Sequence, residues 1–205
     1  AALNVVGTST INAGTGNVTL PNIPNQFGDA INLQAHDVVL AGSNGLILGD
    51  SMVSGNLIVT ADTGHVTQSP NGVLNVTGSS TLTATNGDVI LGNANTFTQA
   101  VELNAINATI NTTTALTLSA STVTGNLKAT VDSGDITQTG PLTVTGTSNL
   151  TATSGNITLT EADNSFGDRV SMSTPQALKL TSSGALSMGD VNVGLTTDLQ
   201  SHGVL

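Results

Sequence analysis

Cysteine, tryptophan and tyrosine are all missing from this chain of 205 residues, and phenylalanine occurs only three times. Without cysteine the chain can form neither disulfides nor thiolate metal sites. With so few aromatic rings, a core has to be filled by leucine, valine, isoleucine and alanine. The length is sufficient for one domain with a core of this kind.

Positive charge is also scarce, because the basic residues are Lys128, Arg169 and Lys179 against 13 acidic ones. The formal net charge is −10, and charged residues make up 8% of the chain. An acidic chain repels the phosphate backbone of nucleic acids and the anionic surfaces of membranes. No apolar run approaches the roughly 18 residues of a membrane-spanning helix. We therefore predict no nucleic-acid partner and no membrane insertion.

Catalytic motifs are absent from the sequence, which has no Gly-x-Ser-x-Gly and no phosphate-binding loop. The three histidines, His36, His65 and His202, do not stand at the spacing of metal ligands. We predict that the chain is not an enzyme, has no catalytic residues and binds no cofactor.

Two pairs of acids keep an enzymatic alternative open. Asp29 with Asp37, and Asp132 with Asp135, could approach to the separation of about 5–9.5 Å that glycoside hydrolysis requires. A polysaccharide-active enzyme is therefore the alternative hypothesis, although the chain lacks the aromatic and basic residues typical of sugar-binding clefts.

Recurring aspartates make calcium the one metal worth considering. Asp62 and Asp132 recur in "TADTGH" and "TVDSGD", and Asp29 and Asp168 recur in "FGD". Carboxylates on loops suit this cation. The Gly-Gly-x-Gly-x-Asp signature of calcium-binding β-rolls is absent, so these four residues are weak candidates. A calcium-dependent adhesive module remains a second alternative.

Internal repetition is the strongest signal in the sequence. The three phenylalanines, Phe27, Phe97 and Phe166, recur at a regular interval of about 70 residues, and an asparagine precedes each by two positions. These asparagines, to which we assign a structural role, are Asn25, Asn95 and Asn164. Similar stretches beginning "VVGTST", "VTGSST" and "VTGTSN" share the same period. We predict one continuous unit over 1–205, built from three repeats at about 5–75, 76–143 and 144–205.

Each repeat contains short apolar/polar alternations rich in Val, Ile, Leu and Thr, separated by turn residues such as "TNG", "DSG" and "NANTFTQ". Nine such strands per repeat predict an all-β fold, a single-stranded parallel β-helix of about three strands per coil and nine coils. Right-handed winding is the default for parallel crossovers. An antiparallel immunoglobulin-type sandwich is the rival, but it requires longer strands.

Within that fold each phenylalanine is predicted to fill a widened corner, with about 14 Å between phenylalanines three coils apart. Glycines at equivalent positions are predicted to form bends, namely Gly55, Gly78, Gly125 and Gly146.

The phrase "GDITQTGPLTVTGTSNLTATSGNITL" followed by "NSF" resembles the repeat regions of filamentous-haemagglutinin-like bacterial adhesins and related β-strand-repeat exoproteins. The resemblance covers essentially the whole chain and carries no catalytic motif. It implies two-partner secretion to the bacterial cell surface and a shaft that serves adhesion or biofilm cohesion. The implied partners are neighbouring repeats of one long chain, with host or matrix glycans and proteins bound by domains elsewhere. Because Leu205 is no polar cap, we expect a section of a longer array.

Overall fold

The computed structural model describes residues 1–203 and shows an all-β chain with no helix in that range. Leu205, on which the expectation of an uncapped end rests, lies outside the described residues. The strands are β1 (Asn4–Val5), β2 (Ser9–Asn12), β3 (Val18–Leu20), β4 (Gln26–Phe27), β5 (Ile31–Ala35), β6 (Val38–Gly42), β7 (Leu46–Val53), β8 (Leu57–Ala61), β9 (Val66–Gln68), β10 (Leu74–Val76), β11 (Ser80–Ala84), β12 (Val89–Phe97), β13 (Val101–Ala105), β14 (Ala108–Thr112), β15 (Leu116–Leu118), β16 (Ser121–Val123), β17 (Leu127–Val131), β18 (Ile136–Gln138), β19 (Leu142–Val144), β20 (Ser148–Ala152), β21 (Ile157–Leu159), β22 (Ser165–Phe166), β23 (Arg169–Thr174), β24 (Leu178–Ser182), β25 (Ser187–Val193) and β26 (Thr197–Ser201).

Alternation along the strands places every second side chain inside. In β11, with the sequence STLTA, the first, third and fifth residues are buried and the two threonines are half-buried. The same pattern holds in β13 and β14. Because successive side chains of a strand point to opposite faces, the apolar residues fill the bore and the polar ones face outward.

Parallel pairing between successive turns confirms the β-solenoid and excludes the antiparallel sandwich. β8 pairs with β6 on one side and with β11 on the other, in each case in parallel. Each turn is made of three strands, and the described chain makes about ten turns. The winding hand stays a prediction.

An aliphatic column runs through the bore. Leu40, Val59, Leu82 and Leu103 stand one above another in register, and none exposes any surface. Full burial of such a side chain stabilises the fold by about 1.5–3 kcal/mol. A turn by itself could not bury this inward face, so the turns stabilise one another only when stacked.

The described chain makes about ten turns where the sequence predicts about nine, and the cause is one misread segment in each repeat. The sequence predicts a turn at "NANTFTQ", yet β12 continues around a corner and includes Asn95–Phe97. The equivalent segments of the other copies are β4 and β22. From Phe97 to Phe166 the chain passes through ten strands, β13 to β22. From Phe27 to Phe97 it passes through ten segments as well, because β7 and β12 each pair as two segments. Since a turn takes three, the repeat exceeds three turns by one strand.

The ladders confirm this extra third of a turn. Below Phe97 lie Val76, Val53 and then Ala35, so three steps down the ladder lead to β5 and not to β4, which carries Phe27. The third copy repeats the offset. Below Phe166 lie Val144, Val123 and then Ala105, which belongs to β13, whereas Phe97 ends β12.

The prediction that the phenylalanines lie three coils apart is therefore wrong. Phe27 lies in a sheet of two strands, Phe97 in one of eleven and Phe166 in one of thirteen. The physical reason is that equivalent residues of successive copies are displaced by one strand around the solenoid.

Candidate functional site

The histidines are spread over different turns. The Nδ1 atom of His36 lies 3.1 Å from the hydroxyl oxygen of Ser54. The Nδ1 atom of His202 lies 3.1 Å from the carbonyl oxygen of Ser182. Among residues 1–203 no group of three or more histidine, aspartate or glutamate side chains could hold a metal ion.

The four calcium candidates are likewise not brought together. Asp62 and Asp132 directly follow β8 and β17, at equivalent corners on separate turns. The carboxylates of Asp29 and Asp168 each accept the backbone N–H of the next residue, at 2.7 Å in both cases. These bonds indicate local turn chemistry, and calcium binding stays a hypothesis.

Buried asparagines form the most developed polar centres of the molecule. Asn25, Asn95 and Asn164 are 1%, 0% and 0% exposed. The side-chain oxygen of Asn95 accepts the backbone N–H of Leu74, one turn earlier, at 3.0 Å. Its nitrogen donates to the carbonyl of Asn111, one turn later, at 3.1 Å. One side chain thus ties three successive turns together, an arrangement that we call the asparagine clasp.

The clasp recurs in all three copies. Asn164 accepts from Leu142 N–H at 2.8 Å and donates to the carbonyl of Thr181 at 3.1 Å. Asn25 accepts from Leu3 N–H at 2.9 Å and donates to the carbonyl of Ala41 at 3.2 Å. Satisfying both the carbonyl and the amine makes a fully buried amide tolerable.

A glutamine completes two of the clasps. The side-chain nitrogen of Gln68 donates to the oxygen of Asn95 at 2.6 Å, and the Asn95 nitrogen donates back at 3.2 Å. Gln138 and Asn164 form the same pair, at 2.8 and 2.9 Å. The "VTQ" and "ITQ" phrases therefore recur because each glutamine pairs with an asparagine about one turn further along the chain.

Each phenylalanine lies two residues after a clasp and points inward. Phe27, Phe97 and Phe166 are 6%, 2% and 5% exposed and belong to the continuous apolar core. Each ring is thus part of the core close to a clasp, and its role in filling a corner stays a prediction.

Sequence reasoning missed a second polar feature, which we call the corner ladder. In a corner ladder a side-chain oxygen or nitrogen accepts the backbone N–H of the residue one turn above. The carboxylate of Asp88 accepts the N–H of Asn107, and the Asn107 oxygen accepts the N–H of Asn126, at 2.9 Å each. The ladder begins at His65, whose Nδ1 accepts the N–H of Asp88 at 2.9 Å. Corner amides that sheet pairing does not reach are satisfied in this way.

Both other copies have a corner ladder at the equivalent place. Asn17, Asp37 and Asn56 form one, with distances of 3.1 and 2.8 Å. Asp135 and Asn156 form another, at 2.6 Å. Two of the acids considered for sugar hydrolysis, Asp37 and Asp135, are thus engaged in structural bonds.

The sequence does contain a signal for these ladders. Glycine followed by Asn, Asp or His and then by an aliphatic residue occurs in the phrases "GNV", "GNL", "GHV", "GDV", "GNL", "GDI" and "GNI". In these seven phrases, at 16–18, 55–57, 64–66, 87–89, 125–127, 134–136 and 155–157, the polar residue stands at a ladder corner, whereas a further "GDV" at 189–191 lies within β25.

The glycines predicted as bends lie at corners, where close stacking leaves no room for a side chain unless a neighbouring group shifts. A Cβ on Gly78 would lie 2.5 Å from the carbonyl carbon and oxygen of Gly55, directly beneath it. Gly146 stands in the same relation to Gly125, at 2.7 Å. None of the four has a positive φ, so space rather than backbone conformation requires glycine here.

We expect Gly78→Ala to lower the free energy of unfolding by about 1–3 kcal/mol, because an added methyl group would push two backbones apart. Gly92→Ala is the matched control, since nothing lies within 4 Å of its Cβ position. The control should be neutral or slightly stabilising, because alanine restricts the unfolded chain. Urea unfolding of both variants measures the difference, and equal stability would contradict the stacking role.

Three equivalent serines, Ser9, Ser80 and Ser148, have a buried hydroxyl with no hydrogen-bond partner among the described residues. Ser121 is a useful contrast because its buried hydroxyl donates to the carbonyl of Ser119 at 2.9 Å and accepts the N–H of Leu103 at 3.0 Å.

We therefore expect opposite effects of one substitution at two serines. Ser80→Ala should raise the free energy of unfolding by about 1 kcal/mol, because an unpaired hydroxyl leaves the core. Ser121→Ala should lower it by about 1–2 kcal/mol, because the Leu103 N–H loses its acceptor. Thermal and urea unfolding test both, and destabilisation by Ser80→Ala would show that its hydroxyl is bonded.

An open groove of about 360 Å³ crosses the outer face of the early turns. Hydroxyl and amide groups of Thr10, Asn12, Asn32 and Gln34 line it beside Met52. Its single carboxylate, Asp50, accepts the N–H of Val73 at 3.1 Å. The groove thus lacks the pair of acids that glycoside hydrolysis uses.

The described part of the chain has no helix long and apolar enough to cross a membrane. No curated protein and no solved structure matches the chain. One sequence family does match, over residues 1–34, 35–104 and 105–173, and the second and third segments each have the length of one repeat. The match covers most of the chain, and the chain therefore belongs to the family described as repeats of unknown function (DUF5649).

Proposed function

We propose that this chain is a section of a rigid, non-catalytic shaft in a secreted bacterial surface adhesin or biofilm-matrix scaffold. The observation that carries the proposal is the uninterrupted stack of about ten turns around one apolar core. At about 4.8 Å per turn, the stack is a rod about 48 Å long.

Stiffness follows from the way that the turns are joined. Adjacent turns share parallel strand ladders on their faces, a clasp once per repeat and a corner ladder along the edges. Bending the rod would open these bonds and expose aliphatic side chains to water, which is unfavourable. A stiff rod of this kind is suited to act as a spacer rather than as an enzyme.

The outer surface is consistent with a spacer in solution. Hydroxyl and amide groups provide most of its polarity, and the net charge of −10 keeps rods apart. The resemblance to filamentous-haemagglutinin-like adhesins supports the cell-surface location and the partners, which are neighbouring repeats of a longer chain.

A repeat-duplication experiment tests the shaft. Inserting a second copy of 35–104 should lengthen the rod by about 16 Å, measured by small-angle X-ray scattering, because three and a third turns are added at about 4.8 Å each. The cross-sectional radius should not change. A wider particle of unchanged length would refute the rigid shaft.

The alternatives are tested on the unaltered chain. Incubation with a panel of polysaccharides should yield no chain cleavage, and detectable turnover would establish an enzyme instead. The melting temperature should be the same with calcium and with chelator, and a rise with calcium would favour the calcium-dependent adhesive module.

A further inference from the structure

One outward row of side chains recurs in every copy. In the first copy it runs through Asn12, Gln34 and Met52, each paired with the next across adjacent turns. In the second copy the equivalent row is Thr83, Asn104 and Thr122. In the third it is Thr151, Ser173 and Asn192.

The three rows lie in three different ladder columns. Below Thr83 the ladder passes through Thr60 and Ala41, which belong to β8 and β6 and not to the first row. Below Thr151 it passes through Thr130 and Asn111, which belong to neither earlier row. Each row therefore has its own column, one strand further around the solenoid than the row before.

We propose that the repeat is an indexing unit that advances the rod by about 16 Å and turns it by one face out of three. The number of repeats between two points then sets the direction in which they face as well as their separation. Only every third copy presents an equivalent surface on the same side. This inference rests on pairing register alone and holds whether or not the chain serves as a shaft.

The rotation arises because the number of strand segments in a repeat is not a multiple of the number of strands in a turn. A repeat holds ten strand segments and a turn holds three, so one strand remains over each time. The segment that carries Asn95 and Phe97 is the one that raises the count from nine to ten.

The indexing has a consequence for recognition. Surfaces of equivalent sequence do not form one continuous stripe, since each new copy starts on another face. A partner that recognises the outward row of one copy meets it again on a different side of the rod, so molecules bound to consecutive copies point away from one another.

Paired spin labels test the rotation, and the chain has no native cysteine to interfere. Thr122 and Thr60 lie on one face, three ladder steps and about 14 Å apart. Thr122 and Met52 are equivalent positions in consecutive copies. We compare the double variants Thr122→Cys/Thr60→Cys and Thr122→Cys/Met52→Cys by electron paramagnetic resonance distance measurement.

The expected result is a clearly longer distance for the Thr122–Met52 pair, because its two labels project from different faces. Along the rod axis the separations of the two pairs differ by only about 2 Å. A larger difference between the two measured label distances therefore reports rotation around the axis. A repeat of three whole turns would reverse the order, and that outcome would overturn the proposal. If the Met52 variant fails to fold, Thr60→Cys/Thr130→Cys replaces it, because those two residues are also equivalent and the same order is expected.

Discussion

Asn95→Ala should lower the free energy of unfolding by about 3 kcal/mol or more, since each buried polar group left without a partner costs about 1–3 kcal/mol. The substitution leaves the N–H of Leu74 without its side-chain acceptor and removes the amide donor to the carbonyls of Leu91 and Asn111. It also removes both hydrogen bonds to the amide of Gln68. Urea unfolding measures the loss, and amide hydrogen exchange should show that protection falls first in the turns next to the clasp.

Asn75→Ala is the matched control for the clasp. Asn75 is an exposed residue on the strand that begins with Leu74, and replacing it should change stability by less than about 0.5 kcal/mol. Asn95→Asp supplies a second variant, because a carboxylate retains the acceptor for Leu74 but loses both donors and buries a charge. If Asn95→Ala were as stable as Asn75→Ala, the clasp would contribute nothing.

Phe97→Ala should lower the free energy of unfolding by about 3–5 kcal/mol, the usual loss when a buried phenylalanine is truncated. Phe97 is 2% exposed, and the ring belongs to the continuous apolar core. With few aromatic residues in the chain, no other large ring is available to fill the cavity. Urea unfolding measures the loss, while chain cleavage assays should remain negative.

Met52→Ala is the control for Phe97, because it removes a side chain of similar length that is 60% exposed. Its effect should be within about 0.5 kcal/mol. Phe97→Leu should lie between the two, since leucine refills part of the space. An unchanged melting temperature for Phe97→Ala would count against a role in filling the corner.

Much of the strand content can be read from local pattern. The phrases "NATI", "NLKA" and "PLTV" overlap β14, β17 and β19, because alternation of apolar and polar residues is a local property of the chain. The segment Asn95–Phe97 is misread for an equally local reason. Asparagine and glycine favour turns in most settings, and here a buried clasp holds asparagine in an extended segment at a corner.

The buried asparagines can also be recognised from the sequence only in part. The coincidence of Asn with Phe marks Asn25, Asn95 and Asn164 as special, but it does not reveal which backbone groups they bond. Their partners on other turns lie as far as 27 positions away along the chain. Nor does the local sequence around His65 and Asp135 reveal the backbone N–H that each side chain accepts from the turn above.

The sequence by itself determined the period, the all-β character, the inward and outward faces and the aliphatic core, because each depends on residues close together in the chain. Only the tertiary structure decided how much of the chain makes one turn. Val101 pairs with Leu118, whereas Leu57 pairs with Ser80, so the offset between paired residues varies from turn to turn. That offset depends on how three strands and their corners close around a shared core, and no short stretch of sequence records it. The extra third of a turn per repeat is the result.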